Sequence, residues 1–362
     1  MKKNFHILGG GISGLYTAKL LREKHPQSTI TIYEQNSHLG GRCYSYPDKN
    51  FGTLDNATHA IIGANKNSKK LLKSPNFHKK ALFFDLKTET ISTNILKNKN
   101  EIALALFNNS LKKTPISIIW QTLKKLFPFT HSKTKIWFSQ NNLTETIIKP
   151  LSHNADETKL GYLLKSFDSK NTKITSLTFN KETININPAD TIISTLDAEN
   201  SHKIFNTPKF EFESIINIFF KSEPTWTLPE LTDFLAIKNG LTQWIFKTPC
   251  HLAVTISNVS SSVISNTTEE SGQSISSILA RQIWSELQII LNKKNVPMPE
   301  YKIIHHKFAT IKQNQQNNSQ RPTSAKTSYT NLILAGDWTL KNYPSSIETS
   351  ILSAIRAVES ID

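Results

Sequence analysis

Residues Phe5 to Arg42 constrain this chain more than any other stretch: FHILGGGISGLYTAKLLREKHPQSTITIYEQNSHLGGR. Phe5, Ile7 and Leu8 read as a short buried strand. Gly9-Gly10-Gly11-Ile12-Ser13-Gly14 follows at once and fits G-x-G-x-x-G. Leu15, Ala18, Leu20 and Leu21 then recur at helical spacing, and Ile30 to Tyr33 form a second strand ending on Glu34, twenty residues after Gly14. In such a unit Gly9 permits the tight turn, Gly11 lets a pyrophosphate approach the backbone, and Gly14 lets the helix pack closely on the sheet. Ile12 and Ser13 open a helix whose free N–H groups and positive dipole end favour phosphate. Glu34 stands where a carboxylate accepts both hydrogen bonds of an adenosine ribose. The glycines alone occur by chance; strand, glycines, helix, strand and acid in register point to a bound dinucleotide.

Leu39-Gly40-Gly41-Arg42 narrows the ligand. Gly41 allows close backbone approach, and the Arg42 guanidinium can fork onto phosphate. An acid followed by a GGR turn resembles the FAD-binding flavin amine oxidase and phytoene desaturase superfamily; a plain NAD domain does not require it. Near the other terminus, Asn331 to Ala335 reads as a strand running into Gly336-Asp337-Trp338, and Pro344-Ser345-Ser346-Ile347 starts a last helix capped by Ser346. Asp337 can take a ribityl or phosphate-side hydroxyl. The helix from Ile347 can aim free N–H groups at the flavin N1 and C2 carbonyl, favouring the reduced anion.

A chain of 362 residues implies two intertwined domains, and a hydrophobic content of 38% suffices for a core. No stretch is long and apolar enough to span a bilayer, and the N-terminus runs straight into the first strand with no signal peptide, which places the expected compartment in the cytoplasm. There Cys43 and Cys250 are expected as free thiols, Cys43 as a packed small residue near the flavin. The eleven histidines show no metal-ligand spacing, so no metal is expected; His305 and His306 point to opposite faces of a strand. The net charge of +15 admits nucleic acid, an anionic membrane surface or simple drift toward lysine. No nucleic-acid reader motif or aromatic-basic platform occurs, so nucleic acid is not an expected partner.

Between the two anchors, Phe51 to Asn65 carries Asp55, Asn56 and His59 on a loop that is either a site wall or a satisfied hairpin. Ser110 to Phe129 places Ile116, Ile119, Trp120, Leu123 and Phe127 on one helical face, flanked by Lys112, Lys113, Lys124 and Lys125. That is the pattern of an interfacial membrane helix, or of a surface helix with its apolar side on the core. Leu143 to Leu151 reads as a helix ended by Pro150, Lys159 to Asn187 as an antiparallel meander, and Ala189 to Leu196 as a strand of the parallel sheet. Ser214–Lys221, Thr242–Phe246, Leu252–Ser257 and Lys302–Thr310 read as strands of a larger sheet, Ser274–Leu291 as a helix, and Gln313–Ser319 as a loop.

With these residues laid out, the chain resembles the hydroxysqualene dehydroxylase family (squalene-associated FAD-dependent desaturases) within that superfamily. The specific matches are LDNATHAIIGAN at 54–65, TQWIFKTPCHLAVTIS at 242–257, RPTSAKTSYTNLILAGDWT at 321–339 and PSSIETSILSAIRA at 344–357. Ala57-Thr58 replaces the family's usual Gly-Gln, Ser345-Ser346 its Ala-Thr, and Ala354 a glycine of the last helix. The resemblance implies FAD, a lipophilic C30 isoprenoid substrate, and reductive removal of the hydroxyl of hydroxysqualene to give squalene. It implies an α/β fold: a Rossmann-like FAD-binding domain (1–65, 150–205, 325–362) with an interleaved α+β substrate domain (66–149, 206–324). Cofactor contacts are expected from Gly9, Gly11, Ile12, Ser13, Gly14, Glu34, Gly41, Arg42, Ile174, Gly336, Asp337 and Ile347. His59 and then Asp55 are the candidates for the acid that protonates the departing oxygen. A substrate this apolar favours the membrane reading of 110–129, hence peripheral attachment to the inner face of the cytoplasmic membrane. Another polyene desaturase or amine oxidase, or a catalytically degenerate flavoprotein, are the alternatives. The sequence sets neither oligomeric state nor electron donor.

Overall fold

In the computed structural model, Asn4–Leu8 is the central strand of a five-stranded parallel sheet. The strand order is Glu157–Leu160, Thr29–Glu34, Asn4–Leu8, Thr191–Ser194, Leu332–Leu334. The structure describes residues 3–361 except 57, 73–74, 80–81, 96, 140–141 and 259–274; expectations resting on Ala57 and Ser274 lie outside the described residues. Side chains alternate between the faces of a strand. Phe5, Ile7, Ile30, Ile32, Ile193 and Ile333 therefore share one face, packed on the helices Ile12–Lys24 and Ile347–Glu359. Leu8, Tyr33, Ile192 and Leu332 share the other, covered by an antiparallel meander of Leu164–Lys170, Lys173–Phe179 and Thr183–Asn185. Each such aliphatic side chain, fully buried, stabilises the fold by roughly 1.5–3 kcal/mol. Both faces being covered explains the near-continuous apolar runs of these strands.

A second sheet has seven strands, ordered Tyr301–Ile311, Phe212–Lys221, His251–Ser257, Trp244–Lys247, Phe234–Lys238, Phe83–Asp85, Thr90–Ser92. Ile216, Ile218 and Phe220 on one face meet Leu279, Ile283 and Leu287 of the helix Ile275–Ile290. On the opposite face Phe219 and Ala253 meet Phe51 and Leu54, from a hairpin of Ser45–Asp48 and Gly52–Asp55. That hairpin follows the GGR turn, so the chain passes directly from the glycine loop to the underside of the large sheet.

Three local expectations are corrected, and one pair of strands lies where none was expected. Glu157–Leu160 is the edge strand of the parallel sheet and not part of the meander; its polar, half-exposed residues carry no apolar run to announce it. Phe234–Lys238 and Phe83–Asp85, which pair in parallel, went unread because both are short and their partnership is long-range. Pro150 does not end a helix. A π-helical stretch, Thr144–Ile148, lets the Lys149 amide reach the Thr144 carbonyl, and Pro150 sits in the first turn of Lys149–Ser152, where its missing N–H is harmless. Gln315–Gln320 is a short helix, not loop: Asn314 caps it, and the buried Asn317 amide donates to the Glu211 and Lys312 carbonyls.

The helix Ile116–Leu126 settles which way its stripe faces. Ile116 is 81% exposed, Trp120 58% and Phe127 69%, with Leu123 and Phe129 exposed beside them. The side packed inward is carried by Ile118 and Thr122, with Ile119 half-buried. Asn318 and Tyr343 fasten this helix through Ser117 and Gln121. No helix among the described residues is long and apolar enough to cross a membrane.

Candidate active site

The glycine loop is closed on one side and open on the other. A Cβ on Gly14 would lie 2.0 Å from the Gly9 carbonyl oxygen, so strand and helix meet without room for any side chain. A Cβ on Gly11 would meet nothing within 4 Å. That vacant space is bounded by the GGR turn: the Gly40 amide donates to the Gly10 carbonyl, and Gly41 faces the Gly11 Cα. The cradle fits a dinucleotide pyrophosphate. Glu34 is more occupied than its position alone implies. One oxygen accepts the Gly10 amide at 2.7 Å and the other accepts two N–H groups of Asn36. Three of about four acceptor positions of the carboxylate are thus filled, so Glu34 shapes the glycine loop and keeps about one acceptor position open. Ile12 and Ser13 are buried at the helix start, and the Ser13 and Ser353 hydroxyls pair at 3.2 Å.

The two chain ends meet in a charged clamp. Arg42 donates to Asp337 Oδ1 at 2.7 Å and to the Ala309 carbonyl at 2.9 Å. Asp337 is buried, Arg42 half-exposed along the cleft. Burial alone would raise the Asp337 carboxyl, but Arg42, with Arg321 and Ser345, holds it below the usual carboxylate range. Arg321 is buried and donates to the Asp337 and Leu340 carbonyls; burial pulls it down to about 10, against the pull of Asp337. The Arg42 and Arg321 guanidiniums both act on this carboxylate, and Asp197 adds a second, more distant negative charge facing Arg42. The Gly336 amide donates to Ser353, joining this loop to the last helix, where Ile347 follows the Ser346 cap. Ile174 stands apart: it is buried in the meander core, with its amide and carbonyl both taken by Asn331.

Beyond the clamp lies an open cleft of about 610 Å³, its walls including Asn36, Gly41, Arg42, Tyr44, Asn56 and Ile304. Asp55 and His59 sit behind Asn56. Asp55 accepts from the Ser45 hydroxyl at 2.6 Å and the Leu143 amide at 3.1 Å, yet burial outweighs these bonds and raises its carboxyl. The His59 Nε2 lies 3.3 Å from the Arg42 carbonyl and 3.5 Å from Cys43 Sγ, and burial lowers the imidazole. The Cys43 thiol is pushed up by burial to about 12, which leaves it a neutral packing group. Sequence reasoning missed Tyr44, stacked on His38 at 3.5 Å, and His306, whose Nε2 lies 2.6 Å from the Asn56 carbonyl. The alternation of His305 and His306 was the available signal for the latter: His305 is exposed, His306 faces the site.

Comparison with known proteins bears on the fold and the cofactor. Residues 7–74 match the NAD(P)-binding Rossmann-like domain, and residues 121–362 match the flavin containing amine oxidoreductases. The chain belongs to the flavin containing amine oxidoreductase family. Among solved structures, an oxidoreductase from Methanosarcina mazei superposes with a TM-score of 0.73 at 12% identity, covering 99% of this chain and all of that one. A putrescine oxidase gives 0.64 at 9% identity, covering 100% and 99%. Curated relatives run end to end: hydroxysqualene dehydroxylase of Zymomonas mobilis is 24% identical, covering 98% of both chains. That of Rhodopseudomonas palustris is 23% identical, covering 99% of this chain and 98% of its own. As a member of the flavin containing amine oxidoreductases, this protein is an FAD-dependent oxidoreductase with a Rossmann-like nucleotide fold beside a second sheet.

Proposed function

We propose that this flavoenzyme removes the hydroxyl of hydroxysqualene reductively, yielding squalene and water. The end-to-end likeness to relatives bearing that name carries the reading. In it, 1–65, 150–205 and 325–362 form the FAD-binding domain and 66–149 with 206–324 the substrate domain. Gly11, Ile12, Ser13, Gly41 and Arg42 hold the pyrophosphate, Glu34 the ribose, Gly336, Asp337 and Ile347 the flavin end; Gly9 and Gly14 shape the loop, and Ile174, buried in the meander core, is left without a direct cofactor contact. Reduced FAD, when bound, supplies the hydride that replaces the hydroxyl. The protein must deliver a proton to the departing oxygen, so that the hydroxyl leaves as water from an allylic-type carbon. Asp55 suits that task better than His59. Its raised carboxyl keeps a proton to higher pH, whereas the lowered imidazole is neutral and its Nε2 is engaged by the Arg42 carbonyl. Ser45 and the Leu143 amide hold Asp55 from one oxygen.

The exposed stripe of Ile116, Trp120, Leu123, Phe127 and Phe129, with Lys112, Lys113 and Lys124 exposed around it, supports peripheral attachment to an anionic membrane, the reservoir of such a substrate. Lys125 instead folds inward over the Tyr343 ring. The test supplies FAD-loaded protein and a reductant with hydroxysqualene, and, separately under air, with a polyene or a diamine. Squalene is expected from the first alone. Oxidation of the polyene or amine with no squalene formed would replace this reading.

A further inference from the structure

The first turn of the last helix holds a buried charge. The Ser346 hydroxyl accepts the Thr349 amide at 3.2 Å, and the Ser346 carbonyl accepts the Ser350 amide at 3.0 Å. The Ile347 and Glu348 amides have no hydrogen-bond partner among the described residues. Glu348 is 3% exposed, yet its carboxylate does not cap its own helix. It crosses to the start of the helix Lys66–Leu71. One oxygen accepts the Ser68 hydroxyl at 2.6 Å and the Ser68 amide at 2.7 Å; the other accepts the Asn67 side chain at 3.0 Å and the Asn67 amide at 3.4 Å. All four donors are neutral, so they satisfy the carboxylate without cancelling its charge. Asp337, the other buried carboxylate near this end of the chain, is by contrast paired with Arg42. Among the described residues Glu348 forms no ion pair. The cation that feels it is Lys125, half-buried over the Tyr343 ring at 4.8 Å; burial lowers its pKa and Glu348 pulls it back up.

A negative charge in the first turn opposes what the helix dipole and the two open amides offer an anion. In the function proposed above, Ile347 faces the flavin, and the reduced flavin carries more negative charge than the oxidised one. Buried charges are weakly screened, so Glu348 disfavours the reduced form more than the oxidised form. We propose that Glu348 lowers the reduction potential of the bound flavin and so makes it the stronger hydride donor that a dehydroxylation needs. The inference rests on the proposed function and names the residue that tunes its reducing power. The same four bonds fix the start of the last helix against the segment that follows Asp55 and His59, so a purely structural role must be separated from the charge.

The test is a redox titration of FAD-loaded protein against reference dyes, with the wild type, Glu348→Gln, Ser68→Ala and Lys125→Met. Glu348→Gln removes the charge at nearly constant shape. It is expected to raise the midpoint potential, changing the reduced-to-oxidised ratio about tenfold, which is about 30 mV for a two-electron couple. Ser68→Ala loosens the same anchorage but keeps the charge; it is expected to lower the melting temperature without raising the potential. Lys125→Met removes the cation that offsets Glu348 and is expected to lower the potential, and it serves if the glutamine variant does not fold. An unchanged potential in Glu348→Gln, or an equal rise in Ser68→Ala, overturns the proposal; so does an unchanged potential in Lys125→Met where the glutamine variant is lost. A wild type that makes squalene while the variants leave the potential unmoved overturns this inference alone. A potential that rises as expected in a protein that makes no squalene overturns the dehydroxylase reading and leaves the effect of the charge standing.

Discussion

Asp55 and His59 stand close together, and the same burial drives them in opposite directions: the carboxyl up, the imidazole down. The sequence showed that both types of acid were available, but the order between them depends on Ser45, Leu143 and the Arg42 carbonyl, contacts that no local pattern encodes. If Asp55 is the proton donor, the reaction needs its protonated form. The rate with hydroxysqualene should then fall as pH rises through a pKa above the ordinary aspartate value. Asp55→Asn should lower kcat by about 10²- to 10⁴-fold and remove that alkaline limb, with the flavin spectrum intact. His59→Ala, by comparison, should leave the limb in place; its disappearance in that variant would transfer the role to His59. Glu34 was legible from its spacing, whereas its bonds to Gly10 and Asn36 were not. Glu34→Ala should both free the loop and remove the ribose acceptor, weakening FAD retention by about 1.5–3 kcal/mol for a lost charged hydrogen bond. Equilibrium dialysis against FAD checks this; undiminished retention would discard the ribose assignment.

At the scale of elements, strong periodicity was readable and cross-chain partnership was not. The helix Ile275–Ile290 and the strands Phe212–Lys221, His251–Ser257 and Tyr301–Ile311 lie within a few residues of their expected limits. The parallel pair of Phe83–Asp85 with Phe234–Lys238 joins residues far apart in the chain, and nothing local marks it. The helix Ile116–Leu126 is the instructive case. Its stripe was visible in the sequence, but an apolar stripe faces either core or lipid, and only the fold shows Ile118 and Thr122 taking the inward side. Burying one large apolar side chain contributes roughly 1.5–3 kcal/mol. Trp120→Ser combined with Phe127→Ser should therefore sharply reduce flotation with anionic liposomes while the melting temperature hardly changes. Flotation equal to the wild type would remove this helix from membrane attachment.

For the whole molecule, the decisive feature is that residues from opposite ends of the chain close one site. Arg42 follows the first βαβ unit, Asp337 precedes the last helix, and their ion pair sits beside the open face of Gly11. Both motifs could be read separately, as could the cofactor they imply. That each would occupy the other, with Arg321 as a buried third member, required the fold. Arg42→Ala leaves Asp337 buried beside the single guanidinium of Arg321. It should lower both thermal stability and FAD occupancy, the loss being on the order of 1–3 kcal/mol for a charged hydrogen bond. Calorimetry of the apoprotein separates the two effects: a drop confined to the FAD-loaded form would mean that Arg42 serves the cofactor alone.

If this clamp holds a flavin that gives its hydride to an allylic alcohol, a single turnover must reoxidise that flavin. A single-turnover experiment tests it most directly. FAD-loaded protein is reduced under anaerobic conditions, freed of excess reductant and mixed with hydroxysqualene, and the return of the oxidised-flavin absorbance is followed together with the product. Flavin reoxidation in step with the formation of one squalene per flavin is expected. A reduced flavin that stays reduced, with hydroxysqualene recovered unchanged, would contradict it.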